Sequence, residues 1–303
     1  MEHANNNSGR INDSTTLRYA DLADSIYMKN GYQPIWSRGD KWLTLSDSLL
    51  DFIQNAKNYG LFPSDYHYHS LAFINRVFNA DSLAKKNDVL WARADILYTD
   101  AFFSLVKDIK QGRLPYDSVT LRMDTVLKKS IFLSALSEAI QSGNVATALQ
   151  ELEPKYKGYD SLRMYTTRFL SKAKFVPYTY LVYPYKDSIE FFHMLEKRLH
   201  ELNLIPATAN NLDSNAFKKV IRKFQEGNNF KPTGHVSDAL IDHFNNTDWE
   251  KFKRIAVNLD RYKLLPDTLP KTYAWVNLPS YTLRIVDTDT LVFQSRIIVG
   301  GPL

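Results

Sequence analysis

The chain has 303 residues, of which 44% are hydrophobic and 13% aromatic, and this is enough to bury more than one core. Its 38 basic and 33 acidic residues are spread along the chain rather than clustered, so a nucleic-acid interface is not expected. The absence of cysteine excludes disulfides, zinc–thiolate sites and a thiol nucleophile within these residues, and no apolar run is long enough for a transmembrane segment.

The first half of the chain is predicted to be helical. Residues 1–18 are polar and predict a disordered tail or linker. Beyond them, apolar residues recur three or four positions apart, and glycines 60, 112 and 143 follow where helices should end. These patterns predict one helical domain over residues 19–174. Its helices are expected at about 45–56, 88–111, 130–142 and 160–172.

Residues 175–187 interrupt the helical pattern with aromatic side chains and prolines. Proline lacks an N–H group and has a fixed φ, so this segment is restricted to extended or edge-strand backbone. We interpret it as a connector. Its aromatic rings are expected to pack against the neighbouring domain, and binding of a sugar face is the alternative.

A compact unit of three short helices is predicted over residues 188–246. Asp213 or Ser214 is expected to cap the second helix and Ser237 the third. Three helices in so short a segment predict a small bundle that is marginally stable alone. A further helix within residues 247–270 is interpreted as a link that leads outward.

After residue 270 the pattern changes to strands, at about 272–277, 281–287 and 291–299. Three strands without partners are marginal and leave an apolar edge exposed. Residues 271–303 are therefore expected to be the first β-strands of an incomplete all-β domain, with the chain stopping in mid-fold. The predicted fold class is mainly α, with a helical domain and a three-helix bundle before these strands.

Common catalytic and metal-binding motifs are absent. His67 with His69, and His193 with His200, are the best-spaced histidine pairs, but neither has a third ligand nearby. No nucleophile elbow, phosphate-binding loop or dinucleotide fingerprint occurs. We therefore expect no metal and no cofactor. A glycosidase site with two paired carboxylates is an alternative that the sequence leaves open, since 33 acidic residues allow many pairings.

Three groups of segments carry a likeness to a known family. The first comprises residues 32–36, the Gly-Leu-x-Pro-x-Asp-Tyr-His pattern at 60–67, and residues 95–114. The second comprises residues 195–199 with Leu202, then 216–225, and then Gly234 and Leu240. The third comprises 258–302, with Trp-Val-Asn-Leu-Pro-Ser-Tyr-Thr-Leu-Arg inside it. In this order they resemble the large L,D-transpeptidases, which combine a helical scaffold domain, a peptidoglycan-binding domain and a YkuD-type catalytic domain.

The chain departs from the family pattern in two of the three domains. The binding domain usually has Gln where Glu196 stands, and an Asp-Gly turn where Thr233 and Gly234 stand. The family's catalytic domain continues to a histidine and a Ser-x-Gly-Cys-x-Arg motif that carries the nucleophile, and neither is present here. The resemblance thus implies no catalytic residue in this chain.

By resemblance, the chain is part of a murein L,D-transpeptidase that cross-links peptidoglycan stem peptides through a cysteine acyl-enzyme, and it lacks the nucleophile. The alternative is a non-catalytic peptidoglycan-binding or scaffold protein of the cell envelope. The codons after Leu303 would separate the two. The implied partners are peptidoglycan glycan strands and stem peptides. The implied location is the periplasm or cell envelope, although no signal peptide is recognised, and we expect a monomer.

Arg198 and Gln225 are the candidate ligand-binding residues. Arg198 follows Leu195 by three positions and precedes Leu202 by four, so it borders the apolar face, where its guanidinium is expected to meet a stem-peptide carboxylate. Gln225 adjoins Phe224 and offers both a donor and an acceptor. The alternative is that Arg198 is a solvated charge and Gln225 a helix-end residue.

Overall fold

The computed structural model describes residues 10–12, 15–115, 126–206, 208–209, 212–278, 280–298 and 300. Eleven α-helices among these residues make the protein mainly helical, at 57%, and a small antiparallel sheet lies at the C-terminal end. The predicted fold class is therefore confirmed.

Seven helices form the N-terminal helical domain. They are α1 (Ala20–Lys29), α2 (Thr44–Gln54), α3 (Tyr68–Ala80), α4 (Asp88–Gln111), α5 (Lys129–Ser142), α6 (Val145–Gln150) and α7 (Lys157–Leu170). Short 3-10 turns lie at Ala56–Tyr59, Pro63–Tyr66 and Ala84–Lys86. Two short antiparallel pairs complete the domain, β1 (Arg10–Asn12) with β2 (Thr15–Thr16), and β3 (Ser37–Arg38) with β4 (Lys41–Trp42).

Helix α4 is the centre of this domain and has the predicted bounds. The side chain of Asn87 caps it by accepting a hydrogen bond from Leu90 N at 3.1 Å, and Gly112, with a φ of 73°, follows its last residue. Most of its side chains beyond the first turn are buried, so it needs neighbours on every side. Helices α1, α2, α3, α5 and α6 supply them. None of the described helices combines the length and apolar character needed to cross a membrane.

Residues 15–18 belong to the segment that is predicted to be a tail, but they lie against the helical domain. The side chain of Leu17 is buried in its core. Arg18 Nη1 donates to Asp108 Oδ2 at 2.9 Å. One buried leucine and one ion pair produce no periodic pattern, which is why composition alone did not indicate this contact. Apart from β1, the rest of the predicted tail lies outside the described residues.

Helix α11 (Asp248–Lys263), the predicted link, packs back onto the helical domain rather than leading outward. It contacts α4, α7 and the 3-10 turn before Gly60. Leu259 of α11 is buried against Tyr159 of α7. Gly60 has a φ of 73°, and a Cβ there would stand 3.1 Å from Ala256 Cα, so only glycine allows the two backbones to come this close.

The three helices between the connector and α11 have their own core. They are α8 (Ser188–Glu201), α9 (Ser214–Gly227) and α10 (Asp238–Asn245). Each is capped by the side chain before it, which accepts hydrogen bonds from backbone N–H groups, namely Asp187, Asp213 and Ser237. Their buried cluster is separate from that of the helical domain, so the bundle is a distinct packing unit.

The connector is extended and attached on both sides. Leu181 N donates to Asn245 Oδ1 at 3.0 Å, and Asn245 Nδ2 donates back to Leu181 O at 2.8 Å, which fixes the segment to the bundle. The ring of Phe175 lies 4.7 Å from that of Trp249 and 5.8 Å from that of Phe252, measured between centroids. Phe175 therefore packs against α11, as the packing interpretation of the aromatic run expects.

The C-terminal sheet consists of β5 (Thr272–Asn277), β6 (Thr282–Asp287) and β7 (Thr290–Arg296), paired antiparallel in that order. Every described side chain in these strands is exposed or only partly buried. Four large apolar side chains are at least half exposed, namely Val276, Leu291, Val292 and Phe293. The described part of the sheet thus has no core of its own.

We expect this sheet to be the least protected folded region in native-state amide exchange. Its backbone hydrogen bonds are not covered by buried side chains, so opening costs little free energy. Exchange followed by mass spectrometry on the full chain should show β5–β7 exchanging well before α4. Strong protection of the sheet in a sample that sedimentation shows to be monomeric would contradict this expectation.

Candidate functional site

A groove with a volume of about 770 Å³ lies between α8 and α9 of the three-helix bundle. The end of the connector borders it with Tyr183 and Tyr185, and the turn of residues 234–236 borders the other side. The ring of Tyr185 stacks on that of Phe191, with centroids 4.6 Å apart and planes at 21°. The groove therefore has one aromatic wall that is held in place by the bundle core.

Each of the two helices lines the groove with a single face. Helix α8 contributes Ile189, Phe192, His193 and Glu196. Helix α9 contributes Ser214, Phe217, Lys218 and Ile221. Both sets have the spacing i, i+3, i+4, i+7 that places side chains on one side of a helix. This spacing was a usable signal for groove residues, but it does not reveal which two faces oppose each other.

The cationic and ionisable donors of the groove are Lys218, His193 and His235. Lys218 is exposed, and no ion pair or side-chain hydrogen bond is found for it within the described part of the chain. The two imidazoles offer ring N–H donors in any protonation state. A ligand group with acceptor oxygens would thus find donors on both helices and on the turn.

Glu196 is the acidic residue that lines the groove. Its side chain is largely buried, and Oε1 accepts a hydrogen bond from Leu212 N at 3.2 Å. Asp187 and Asp213 stand just before the two helices, and each carboxylate accepts from two backbone N–H groups of the first turn. These carboxylates therefore stabilise the helix ends and the loop before α9.

Gln225, a predicted ligand residue, is 3% exposed and holds the turn that borders the groove. Its Oε1 accepts from Gly234 N at 2.8 Å, and its Nε2 donates to His235 O at 2.9 Å. Gly234 has a φ of 73°, and a Cβ there would stand 3.0 Å from Lys218 O. Gln225 thus positions the turn against α9 without lining the groove itself. Direct ligand binding by Gln225 stays a prediction.

Arg198, the other predicted ligand residue, is 5% exposed and connects α8 to α10. Its Nη2 donates to Phe244 O at 2.7 Å, in the last turn of α10, where carbonyls lack partners within the helix. Its Nη1 donates to Glu201 Oε2 at 3.0 Å, and the guanidinium carbon lies 5.2 Å from the ring centroid of Tyr178. Arg198 does not line the groove, and direct ligand binding by it also stays a prediction.

In the helical domain, Asp95 of α4 holds the loop that precedes β3. Its carboxylate accepts from Ile35 N and Trp36 N at 3.0 Å each, and from the hydroxyl of Tyr27. Burial raises the pKa of the Asp95 carboxyl, and the hydrogen bonds from these three donors act in the opposite direction. Two of the segments that resemble the family, 32–36 and 95–114, are therefore in contact because Asp95 accepts hydrogen bonds from the loop before β3.

The Gly-Leu-x-Pro-x-Asp-Tyr-His pattern at 60–67 is likewise attached to α4. His67 Nε2 lies 2.7 Å from Asp100 Oδ2, and the hydroxyl of Tyr66 donates to Asp108 Oδ2 at 2.9 Å. Burial and the charge of Asp108 raise the pKa of Tyr66 well above its ordinary value, so its hydroxyl stays protonated and remains a donor. Tyr66 and His67 of this pattern therefore attach the loop at 60–67 to the central helix α4.

Asp260 and Lys263 join α11 to the same domain. Lys263 is fully buried, and its Nζ donates to Asp260 Oδ1 at 2.9 Å and to Tyr59 O at 3.3 Å. Asp260 Oδ2 accepts from Arg113 N at 3.0 Å, just after α4 ends. This buried pair fixes the last turn of α11, from which the chain continues towards β5.

Within the ranges that the structure describes, no three His, Asp or Glu side chains lie close enough together to hold a metal ion. The chain has no cysteine. The groove is a candidate binding site on account of its volume and its lining, and no chemical step is assigned to any described residue.

The comparison with known families adds one match. A family model described as a Scaffold domain matches residues 21–165, somewhat less than half of the chain. No curated protein matches the chain. The matched residues run from α1 to α7 and include the loop at 60–67 and its partners on α4. Residues 21–165 therefore match a scaffold domain, which is a domain found in L,D-transpeptidases.

Proposed function

We propose that this chain is the scaffolding and substrate-holding part of a murein L,D-transpeptidase, which cross-links peptidoglycan stem peptides through a cysteine acyl-enzyme. The observation that carries the proposal is the scaffold-domain match over residues 21–165. The order of the segments that resemble the family supports it. No cysteine nucleophile is among the 303 residues, so the proposal assigns binding and support, and no chemical step, to these residues.

In this proposal, the groove between α8 and α9 holds peptidoglycan. Its volume of about 770 Å³ and its mixture of aromatic and charged side chains suit a ligand that has both apolar and polar faces. The helical domain carries the groove through α11, which packs on it, and the connector is attached to α11 by the contact between Phe175 and Trp249. Binding to peptidoglycan implies location in the periplasm or cell envelope.

The proposal predicts that the full chain sediments with purified insoluble peptidoglycan. Gln225→Ala should bind less, because the turn at 234–236 loses the side chain that positions it. Arg198→Ala tests the predicted carboxylate contact, and binding should fall if its guanidinium reaches the ligand. The fraction of protein in the pellet is measured against total protein concentration.

Circular dichroism is the control for both variants, because each loses buried hydrogen bonds. Reduced pelleting counts only for a variant that retains the helical content of the wild type. Absence of pelleting by the wild-type chain would contradict the proposed function. Equal pelleting by all three folded proteins would show that Arg198 and Gln225 do not contribute to binding, and it would not contradict the proposed function.

A second prediction follows from the missing thiol. Carbapenems acylate L,D-transpeptidases at the cysteine, so the purified chain should form no covalent adduct and release no D-alanine from stem peptides. Intact-mass spectrometry after incubation with a carbapenem checks this, with an active L,D-transpeptidase as the positive control. An adduct of carbapenem mass on this chain would overturn the expectation.

The alternative is a non-catalytic peptidoglycan-binding or scaffold protein of the cell envelope, which the absence of cysteine equally allows. Deleting the encoding gene separates the two readings. Loss of cross-links between diamino-acid residues of neighbouring stem peptides supports the transpeptidase. An unchanged cross-link profile, measured by mass spectrometry of digested peptidoglycan, supports the binding protein.

A further inference from the structure

We propose that the groove between α8 and α9 recognises a carboxylate of the stem peptide, and that the ammonium of Lys218 pairs with it. This inference rests on the proposed function and specifies which part of peptidoglycan is held. Intact glycan strands present mainly hydroxyl and acetamido groups, whereas stem peptides present carboxylates. The ammonium of Lys218 in the groove would therefore distinguish between the two parts of the polymer.

Lys218 is the lysine that lines the groove. It lines the groove from the second turn of α9, and within the described ranges it has no acidic partner of its own. His193 on α8 and His235 on the turn line the same groove and offer ring N–H donors. Three separate elements thus direct donors into one space.

The turn brings one of these donors close to the lysine. Gly234 approaches α9 so closely that a Cβ would stand 3.0 Å from the carbonyl oxygen of Lys218. Gln225 keeps the turn in this position against α9 through its hydrogen bonds with Gly234 N and His235 O. The backbone of the turn therefore meets α9 at Lys218, His235 follows directly after that point, and a carboxylate held by Lys218 would lie in the groove that His235 also lines.

The acidic side chains around the groove are already engaged. Glu196 accepts from Leu212 N, and the carboxylates of Asp187 and Asp213 cap α8 and α9. Their hydrogen bonds to backbone N–H groups compete with pairing to Lys218. The aromatic wall of Tyr183 and Tyr185 provides an apolar surface for the remainder of a peptide.

The test compares two forms of one polymer. Purified peptidoglycan is used either intact or after its stem-peptide carboxylates have been converted to amides with a carbodiimide and ethanolamine. We expect the wild-type chain to bind the amidated polymer roughly tenfold more weakly than the intact one, because one charge-assisted contact is lost. Lys218→Ala should bind both forms about equally and weakly.

Lys219→Ala is the matched control. Lys219 is the next residue on α9, is exposed, and does not line the groove, so this variant has the same net charge as Lys218→Ala. It should retain the wild-type preference for intact peptidoglycan. This comparison separates a specific contact from general attraction between a basic protein and an acidic polymer.

Two outcomes would overturn the inference while leaving the proposed function intact. One is equal binding of wild type to intact and amidated peptidoglycan. The other is equal behaviour of Lys218→Ala and Lys219→Ala, with both folded by circular dichroism. Failure of the wild type to bind either polymer would instead reject the proposed function, and the inference with it.

Discussion

Replacing Asp260 with alanine is expected to lower the free energy of unfolding of the helical domain by about 3–5 kcal/mol. The ammonium of Lys263 is fully buried and donates to Asp260 at 2.9 Å. Without that carboxylate, the buried ammonium loses a charged acceptor at 2.9 Å, and Arg113 N loses its acceptor. Urea denaturation followed by far-ultraviolet circular dichroism measures the change.

The matched control is Asp267→Ala. Asp267 also pairs with a lysine, Lys110, at 2.8 Å, but its side chain is 63% exposed, so its loss should cost less than about 1 kcal/mol. Adding Lys263→Met to Asp260→Ala should restore part of the stability, since the buried charge is then removed together with the carboxylate. If Asp260→Ala were no less stable than Asp267→Ala, the buried pair would not hold α11 to the domain.

Replacing Asp95 with alanine is the second change with a large expected effect. The carboxylate is 3% exposed and accepts from Ile35 N and Trp36 N. Alanine leaves both N–H groups buried without that acceptor, and each such group costs about 1–3 kcal/mol, so the expected loss is roughly 2–6 kcal/mol. The same denaturation experiment measures it, with tryptophan fluorescence as a second probe.

Asp88→Ala is its control on the same helix. Asp88 is exposed in the first turn of α4, where an acidic side chain contributes about 0.3–1 kcal/mol through the helix dipole. Asp95→Asn should lie between the two, because its amide oxygen still accepts one hydrogen bond. Equal stability of Asp95→Ala and Asp88→Ala would show that the loop before β3 does not depend on this carboxylate.

The candidate site was only partly accessible from the sequence. The spacing of Phe192, His193 and Glu196 marks one face of α8, and a comparable spacing marks one face of α9. Arg198 and Gln225 are predicted from the sequence as ligand residues because they border apolar positions. Arg198 instead contacts the last turn of α10, and Gln225 contacts the turn after α9. Which helix end lies beside a given side chain depends on packing between segments, and periodicity carries no information about it.

What the sequence by itself determined were the local elements. The bounds of α4 and β5, the caps at Asp213 and Ser237, and the change from helices to strands after residue 270 follow from short-range patterns, because each depends on neighbouring residues alone. These patterns were enough for the mainly α fold class.

Only the tertiary structure decided where the helices meet. Lys263 reaches the carbonyl of Tyr59 across 204 positions, and Asp260 reaches Arg113 N across 147. No local pattern encodes such contacts, since a buried lysine and a surface lysine look alike in a sequence. These contacts pack α11 against the helical domain, and the groove forms where α8 and α9 face each other. Burial of apolar surface and pairing of charges favour both arrangements over an extended chain.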